Sequence, residues 1–559
     1  MSQSIMDQLT EEQRYLVYHS MQDMDLHFDD EMKMIRHNPN RHSTRGSAHY
    51  ALGLLTRNAP GDLRRACDVL GKVLEMQLDY PEEIYHGTFR TAPQQPHPPA
   101  GNLPWKTFAP GFAYYLDATF EKISARFIDM LAIEATPMPG SMDLNDIKNS
   151  LQKAIDDVLP PVWKSYDPNW REFIACTFAV ILENFEEMLP DELVVRMDGS
   201  MVRAVSGSID RRLSDAVPMN TNIELMHIFV SHYFGHRYND ESWIAHAAKE
   251  AESLLTGFNE FRSFAEFNTT TYYGVDLTVL GLWRKYGKSA AFQEIGHEVE
   301  KGLWENIALF YNANLENLSG PFSRAYEMEM RAHSSIGVFL YLALGKGYEY
   351  LAAINCESGH DPMIALVGVD VPEQVMPALI AHQGERLVEK KFRELCERDK
   401  PGSNSNLCTA AAWIGESIMI GAMSGSRNTN GQMYPATIHW KTEDGKKYYM
   451  RLIRREKGGH WNTHLRGITY EAKTNKNQLT VEVQFETNLE IELYFEIRGT
   501  GINAEAITPN LWIFPGLACR VEAEAPAPSV IQYDDCIKII YPYRPDASSS
   551  RMSFTLNLE

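Results

Sequence analysis

From about residue 8 to residue 395 the apolar positions recur at helical spacing, and the predicted helices fall into consecutive pairs. The first pair runs through HSTRGSAHYALGLLTR, turns at Asn58 to Gly61 and returns through DLRRACDVLGKVLEMQ, with Asp62 near the helix start. PGFAYYLDATFEKISARFIDMLAI then pairs with DLNDIKNSLQKAIDDVL, and NWREFIACTFAVILENFEEM with DELVVRMDGSMVRAVSGSI. NIELMHIFVSHYF and DESWIAHAAKEAESLLTGF are split at Gly235, which reads as a glycine C-cap ahead of an acidic start. TYYGVDLTVLGLWRKY and SAAFQEIGHEVEKGLWENIALFY are split at Gly287. SRAYEMEMRAHSSIGVFLYLAL ends at Gly345, and a long loop leads to EQVMPALIAHQGERLVEKKFREL.

In each pair the first helix is the more apolar and the second the more amphipathic and charged, as an inner and an outer ring require. Six such hairpins predict an (α/α)6 toroid over residues 1–398. An α-solenoid would show a fixed repeat with signature residues, whereas these pairs vary widely in length. RDKPGSNSN, at 398–406, reads as a linker. Beyond it the period changes to two, in ATIHWKT, KYYMRLIRR, QLTVEVQFET, LEIELYFEIRG, LWIFPG, CIKIIYPY and RMSFTLNLE, and residues 407–559 are expected to form an antiparallel β-sandwich.

Composition changes this picture mainly by exclusion. The chain has 559 residues and a formal charge of −21, which argues against non-specific attraction to nucleic acid or to an anionic membrane. The N-terminus shows no basic and then apolar leader, and no apolar run reaches the roughly 18 residues of a membrane span, so a cytoplasmic protein is expected. Seven cysteines, none in a CxxC pair, suit a reducing compartment. No P-loop, GxSxG, HExxH or strand-borne GxGxxG occurs, and no ligand-spaced cluster implies a metal or other cofactor.

The candidate chemistry is a pattern of position. In an inner ring the helix starts share one mouth, and here they are polar and aromatic. They offer His42 and Arg45; Asn102, Trp105 and Phe108; Asp167, Asn169 and Trp170; Asn220 and Asn222; Glu266, Asn268, Tyr272 and Tyr273; and Arg324, Tyr326, Glu327 and Glu329. The densest stretch is FAEFNTTTYYGVDL, where Thr or Asn capping the helix and tyrosines packed in the core are the structural alternative. GPFSRAYEMEMRAH follows, with Arg324 suited to clamp a carboxylate or to pair with a neighbouring glutamate. His232 in MHIFVSHYFGH and His460 in GGHWNTHLRG are the histidine candidates, against a satisfied core histidine and an exposed hairpin respectively.

In architecture, and in the stretch from Asn268 to Tyr273, the chain resembles the toroid-plus-β-sandwich polysaccharide lyases of the heparinase II/III and alginate-lyase kind. The resemblance implies removal of the proton α to a uronate carboxylate. Asn268 and Arg324 would neutralise the carboxylate, Tyr272 or Tyr273 would be the proton-transfer phenol, and His232 or His460 its partner. The chain departs from the pattern in lacking an adjacent Asn-His pair and a secretion signal and in its acidic charge.

Three other classes remain open. A glycoside hydrolase would draw its two carboxylates from Glu266, Asp276, Glu327, Glu329 and Asp167, with Trp105, Trp170 and Tyr272 as stacking walls. A dehydratase or cyclase would use an apolar cavity. A scaffold would have no pocket. An oligosaccharide or other small molecule is the expected partner.

Overall fold

The computed structural model of the chain describes residues 5–83, 85–95, 97, 166–213, 220–395, 405–545 and 549–559. The N-terminal part is helical and the C-terminal part is built of antiparallel sheets. Hairpins Thr44–Arg57 with Asp62–Glu75, Trp170–Phe185 with Asp191–Leu213, Thr221–Tyr238 with Glu241–Phe261, and Tyr273–Tyr286 with Ala290–Phe310 lie where the apolar spacing puts them. The pair expected within 110–159 lies outside the described residues, as do 398–404 of the expected linker. Among the described residues no helix is long and apolar enough to cross a membrane.

The first helix of each pair is buried nearly all round and the second along one stripe, because the first has helices on both sides. Trp170–Phe185 packs between Thr44–Arg57 and Thr221–Tyr238, and Thr221–Tyr238 packs in turn on Tyr273–Tyr286. The short helix Asp361–Val367 touches both Tyr273–Tyr286 and Thr44–Arg57. Local chemistry fixes the ends. Ser43, Asp240 and Ser289 accept hydrogen bonds from the first-turn amides of their helices, and Asn58, Asn239 and Arg262 close helices in the left-handed conformation.

Four sequence expectations are corrected. Glu11–His27 is a helix opened by a Thr10 capping box, an element the pairing scheme did not include. Gly235 is not a C-cap: the helix continues to Tyr238, and Gly235 lets Trp243 and Ile244 of the next helix pack closely. The expected helix over 323–344 is helical only from Ile336 to Leu344. Residues 323–335 form a loop whose backbone is satisfied elsewhere, with Phe322 N–H donating to the Tyr434 carbonyl, Ala325 N–H to that of Gln432, and Tyr326 N–H to Thr271 Oγ1. The expected helix at 373–395 ends at Ile380, and Arg386–Leu395 is a strand. It pairs residue for residue with Ser405–Ile414, whose side of the hairpin is rich in alanine and β-branched residues.

Eight strands form one sheet in the order Ser529–Gln532, Cys536–Tyr543, Ile491–Arg498, Lys447–Glu456, Ala436–Lys441, Ile418–Ser424, Ser405–Ile414, Arg386–Leu395. A six-stranded sheet faces it, and Phe495 of the first sheet packs edge-on against Trp512 and Phe554 of the second. One hydrophobic core runs through helices and sheets alike. At the seam the chains are so close that a Cβ on Gly421 would stand 2.1 Å from the Gly320 carbonyl carbon.

Candidate functional site

The helix starts do converge. A pocket of about 170 Å³ is lined by Arg45; Asp167, Asn169 and Phe173; Asn220, Asn222 and Ile223; Thr271, Tyr272 and Val275; Arg324, Tyr326 and His333; and Glu357. Four helices, beginning at Thr44, Trp170, Thr221 and Tyr273, aim their N-terminal ends at it. Their dipoles make the site favourable to negative charge.

The two arginines are held differently. The Arg45 guanidinium lies over the rings of Phe173 (4.7 Å) and Trp170 (5.7 Å), and no described carboxylate stands within ion-pair distance of it. Arg324 pairs with buried Glu266, donates from Nε to Gln432 Oε1 (2.8 Å) and lies 4.3 Å over the Tyr272 ring. Glu266 also accepts from Asn222 N–H (3.2 Å), so it is spent on holding Arg324 and the start of helix Thr221–Tyr238.

Tyr272 and Tyr326 are neighbours, with ring centroids 6.1 Å apart. Burial pushes the Tyr272 phenol well above its ordinary value, against the pull of Arg324. Tyr326 is fixed from the β part: its carbonyl accepts from the Tyr434 hydroxyl (3.3 Å) and from Arg451 (3.3 Å). The His333 ring lies 4.5 Å from the Tyr326 ring, and its Nε2 is 3.4 Å from Glu357 Oε1. Burial raises the Asp167 carboxyl, whose Oδ1 accepts from Asn169 N–H (2.9 Å). Asn222 has a buried side-chain oxygen without a partner.

Other residues singled out in the sequence stand elsewhere. The Asn268 amide is used on the carbonyls of Ser319 (2.7 Å) and Pro321 (2.8 Å), and its backbone N–H donates to the Tyr273 hydroxyl (2.6 Å). Both residues are buried and hold the loop, and neither lines the pocket. His232 stacks on Phe292 at 3.7 Å and accepts from Lys288 N–H (2.9 Å) near the far end of its helix, where burial lowers it to about 3.

His42 is held by Asp29 and Gln94, Trp170 lies beneath Arg45, and the Glu327 carbonyl accepts from Thr270. His460 sits in an exposed turn beside Trp461. Asp276 is buried with both oxygens unpartnered and its carboxyl raised well above the usual range by desolvation. Glu329 accepts from Asn317. Asn102, Trp105 and Phe108 lie outside the described residues.

His333 and Glu357 were not singled out in the sequence. Their meeting depends on residues 323–335 being a loop, which a helical reading of that stretch conceals.

The fold and pocket define a two-part protein, helical and then antiparallel β, with a polar site at the helix starts. The sequence profile of a domain of unknown function, DUF8769, matches residues 14–136 and 145–366, more than half of the chain, and the protein belongs to that family. No curated protein matches it. Among solved structures it is similar to one described as heparinase III, at 9% identity and a TM-score of 0.34, covering 80% of this chain and 73% of that one. It is also similar to the heparan sulfate lyase HepC from Pedobacter heparinus, at 7% identity and a TM-score of 0.28, covering 70% and 68%. At these values the likeness assigns no residue or activity to this chain.

Proposed function

We propose that the chain binds an acidic sugar in this pocket and cleaves it by β-elimination. The observation that carries the reading is Arg45, a guanidinium with no carboxylate partner among the described residues, in a pocket ringed by helix N-termini. A carbon acid beside an ionised carboxylate resists deprotonation until that charge is neutralised, and Arg45 with the Asn222 amide is placed to do so.

The tyrosine pair then supplies both proton transfers. Tyr326 serves as the base that takes the α-proton; the Cβ–O bond breaks; and Tyr272, kept protonated by its burial, gives its proton to the departing oxygen. Proton exchange with solvent water, by which Tyr326 releases the proton it took and Tyr272 regains one, resets the site. We also propose that the consecutive inner helices are the described portion of an (α/α)6 toroid, and that the β part begins near Arg386.

The test is incubation with uronate-containing and neutral oligosaccharides, following ultraviolet absorbance of an unsaturated product and release of reducing ends. Absorbance lost in both Tyr272→Phe and Tyr326→Phe is the expected result. A second reading, hydrolysis, is favoured by Asp167, whose carboxyl is raised by burial in the pocket that also holds Glu357. Reducing ends without absorbance, lost in Asp167→Asn, would replace elimination with hydrolysis. Inertness toward every sugar would end both readings.

A further inference from the structure

The wall of the pocket formed by His333 and Glu357 continues to Cys356, and the ligand-capable atoms of the three residues all lie within 4.8 Å of one another. We propose that His333, Cys356 and Glu357 bind a divalent transition metal, zinc by its chemistry, at the edge of the pocket. One imidazole, one thiol and one carboxylate make a donor set suited to zinc. Magnesium and calcium call for oxygen donors throughout.

The geometry is close to what such an ion needs. Ligand atoms of a tetrahedral zinc stand about 3.3–3.8 Å apart, and His333 Nε2 and Glu357 Oε1 already stand 3.4 Å apart. Three protein ligands leave a fourth position, which opens to the pocket that two of them line.

Independent features hold the ligands in place. His333 has φ 56°, a left-handed conformation that histidine adopts more readily than most side chains, and this turn of the backbone presents its ring. Asn355 ties the two ligand-bearing segments together. Its side-chain oxygen accepts from Ser334 N–H (3.3 Å) and Glu357 N–H (2.9 Å), and its amide donates to the Ser334 carbonyl (3.0 Å). The second Glu357 oxygen stands 3.6 Å from Nδ1 of buried His360, which stacks on His49 at 4.3 Å. That places a polar ring behind the carboxylate, beyond direct hydrogen-bond distance. A cation here would also stand beside Tyr326 and add positive charge to the pocket.

The inference does not rest on the sugar reading, and its test needs no substrate. The 559-residue chain, stripped with a chelator, is titrated with Zn²⁺ and with Co²⁺ while metal content and near-ultraviolet absorbance are followed. One equivalent per chain is expected, with a thiolate-to-cobalt charge-transfer band. Cys356→Ser should abolish the band, and His333→Gln should abolish stoichiometric zinc binding. Unchanged melting of the metal-free Cys356→Ser chain shows that its loss of the band is not unfolding. Absence of stoichiometric zinc, or stoichiometric binding that survives both ligand substitutions, would overturn the proposal.

Discussion

Arg45 and Arg324 bring the same charge to one pocket, yet their surroundings separate their roles. Arg45 rests on two aromatic faces and is available to a ligand, whereas Arg324 holds Glu266 in the interior. Arg45→Gln should lower kcat/KM on a cleaved acidic sugar by about 10²-fold with little change in melting temperature. Arg324→Ala should instead destabilise the protein by about 3–5 kcal/mol in urea denaturation, because it leaves Glu266 buried without its cation.

A second residue-scale prediction concerns His439, which donates from Nε2 to the Met328 carbonyl (3.1 Å) at the seam. Burial lowers its imidazole to about 4, outweighing that hydrogen bond. The folded ring stays neutral while the unfolded one titrates near its ordinary value. The stabilisation is therefore complete above roughly pH 6.5 and is lost as pH falls toward 4. In His439→Asn the stability lost between pH 7 and pH 5 should shrink by about 2 kcal/mol relative to the parent. Buried acids such as Asp276 and Asp361 bend the pH profile the other way, but they are common to both chains and cancel in the difference.

At the scale of elements, the helical hairpins were legible because inner helices are apolar throughout and their ends carry caps such as Ser43 and Asp240. The same logic placed Arg45, Asn222, Tyr272, Arg324 and Tyr326 at one mouth, where the structure brings them together. Periodicity could not show what residues 323–335 do. Their spacing is compatible with a helix, but the loop at Gln432 and Tyr434, between strands Ile418–Ser424 and Ala436–Lys441, supplies better partners for their backbone. The strand Arg386–Leu395 is concealed for a related reason, since a long charged stretch resembles an amphipathic helix until its partner strand is known.

Helix Tyr273–Tyr286 depends on Gly274. A Cβ there would stand 2.8 Å from the Ser335 carbonyl carbon, so the helix touches the backbone that follows His333. Gly274→Ala should cost about 1–3 kcal/mol and, by pushing that backbone away, lower the melting temperature more than Arg45→Gln does, with turnover of any cleaved sugar falling as well. Thermal melts and kinetics on the same preparation check both effects.

Across the whole molecule, helices and sheets share one core and are joined by side chains as well as by the chain itself. The strand Arg386–Leu395 is tied to helix Glu241–Phe261 by Arg393 with Glu260, and its Lys391 carbonyl accepts from Ser263. Loss of helical circular dichroism and loss of the near-ultraviolet signal, to which buried Trp440 and Trp512 of the sheets contribute, should therefore coincide in urea. Two separated transitions would show that the parts unfold independently.

The family profile ends at residue 366, before the sheets begin, and every described residue that lines the pocket also precedes the sheets. Yet Gln432, Tyr434 and Arg451 grip the loop that carries Arg324 and Tyr326. The sheets thus act on the pocket without touching its contents. In evolutionary terms, a recombination event that joined the helices of one relative to the sheets of another would move a tyrosine of the site while leaving every lining residue unchanged. The shape of the pocket is then heritable through a segment that contributes nothing to its lining.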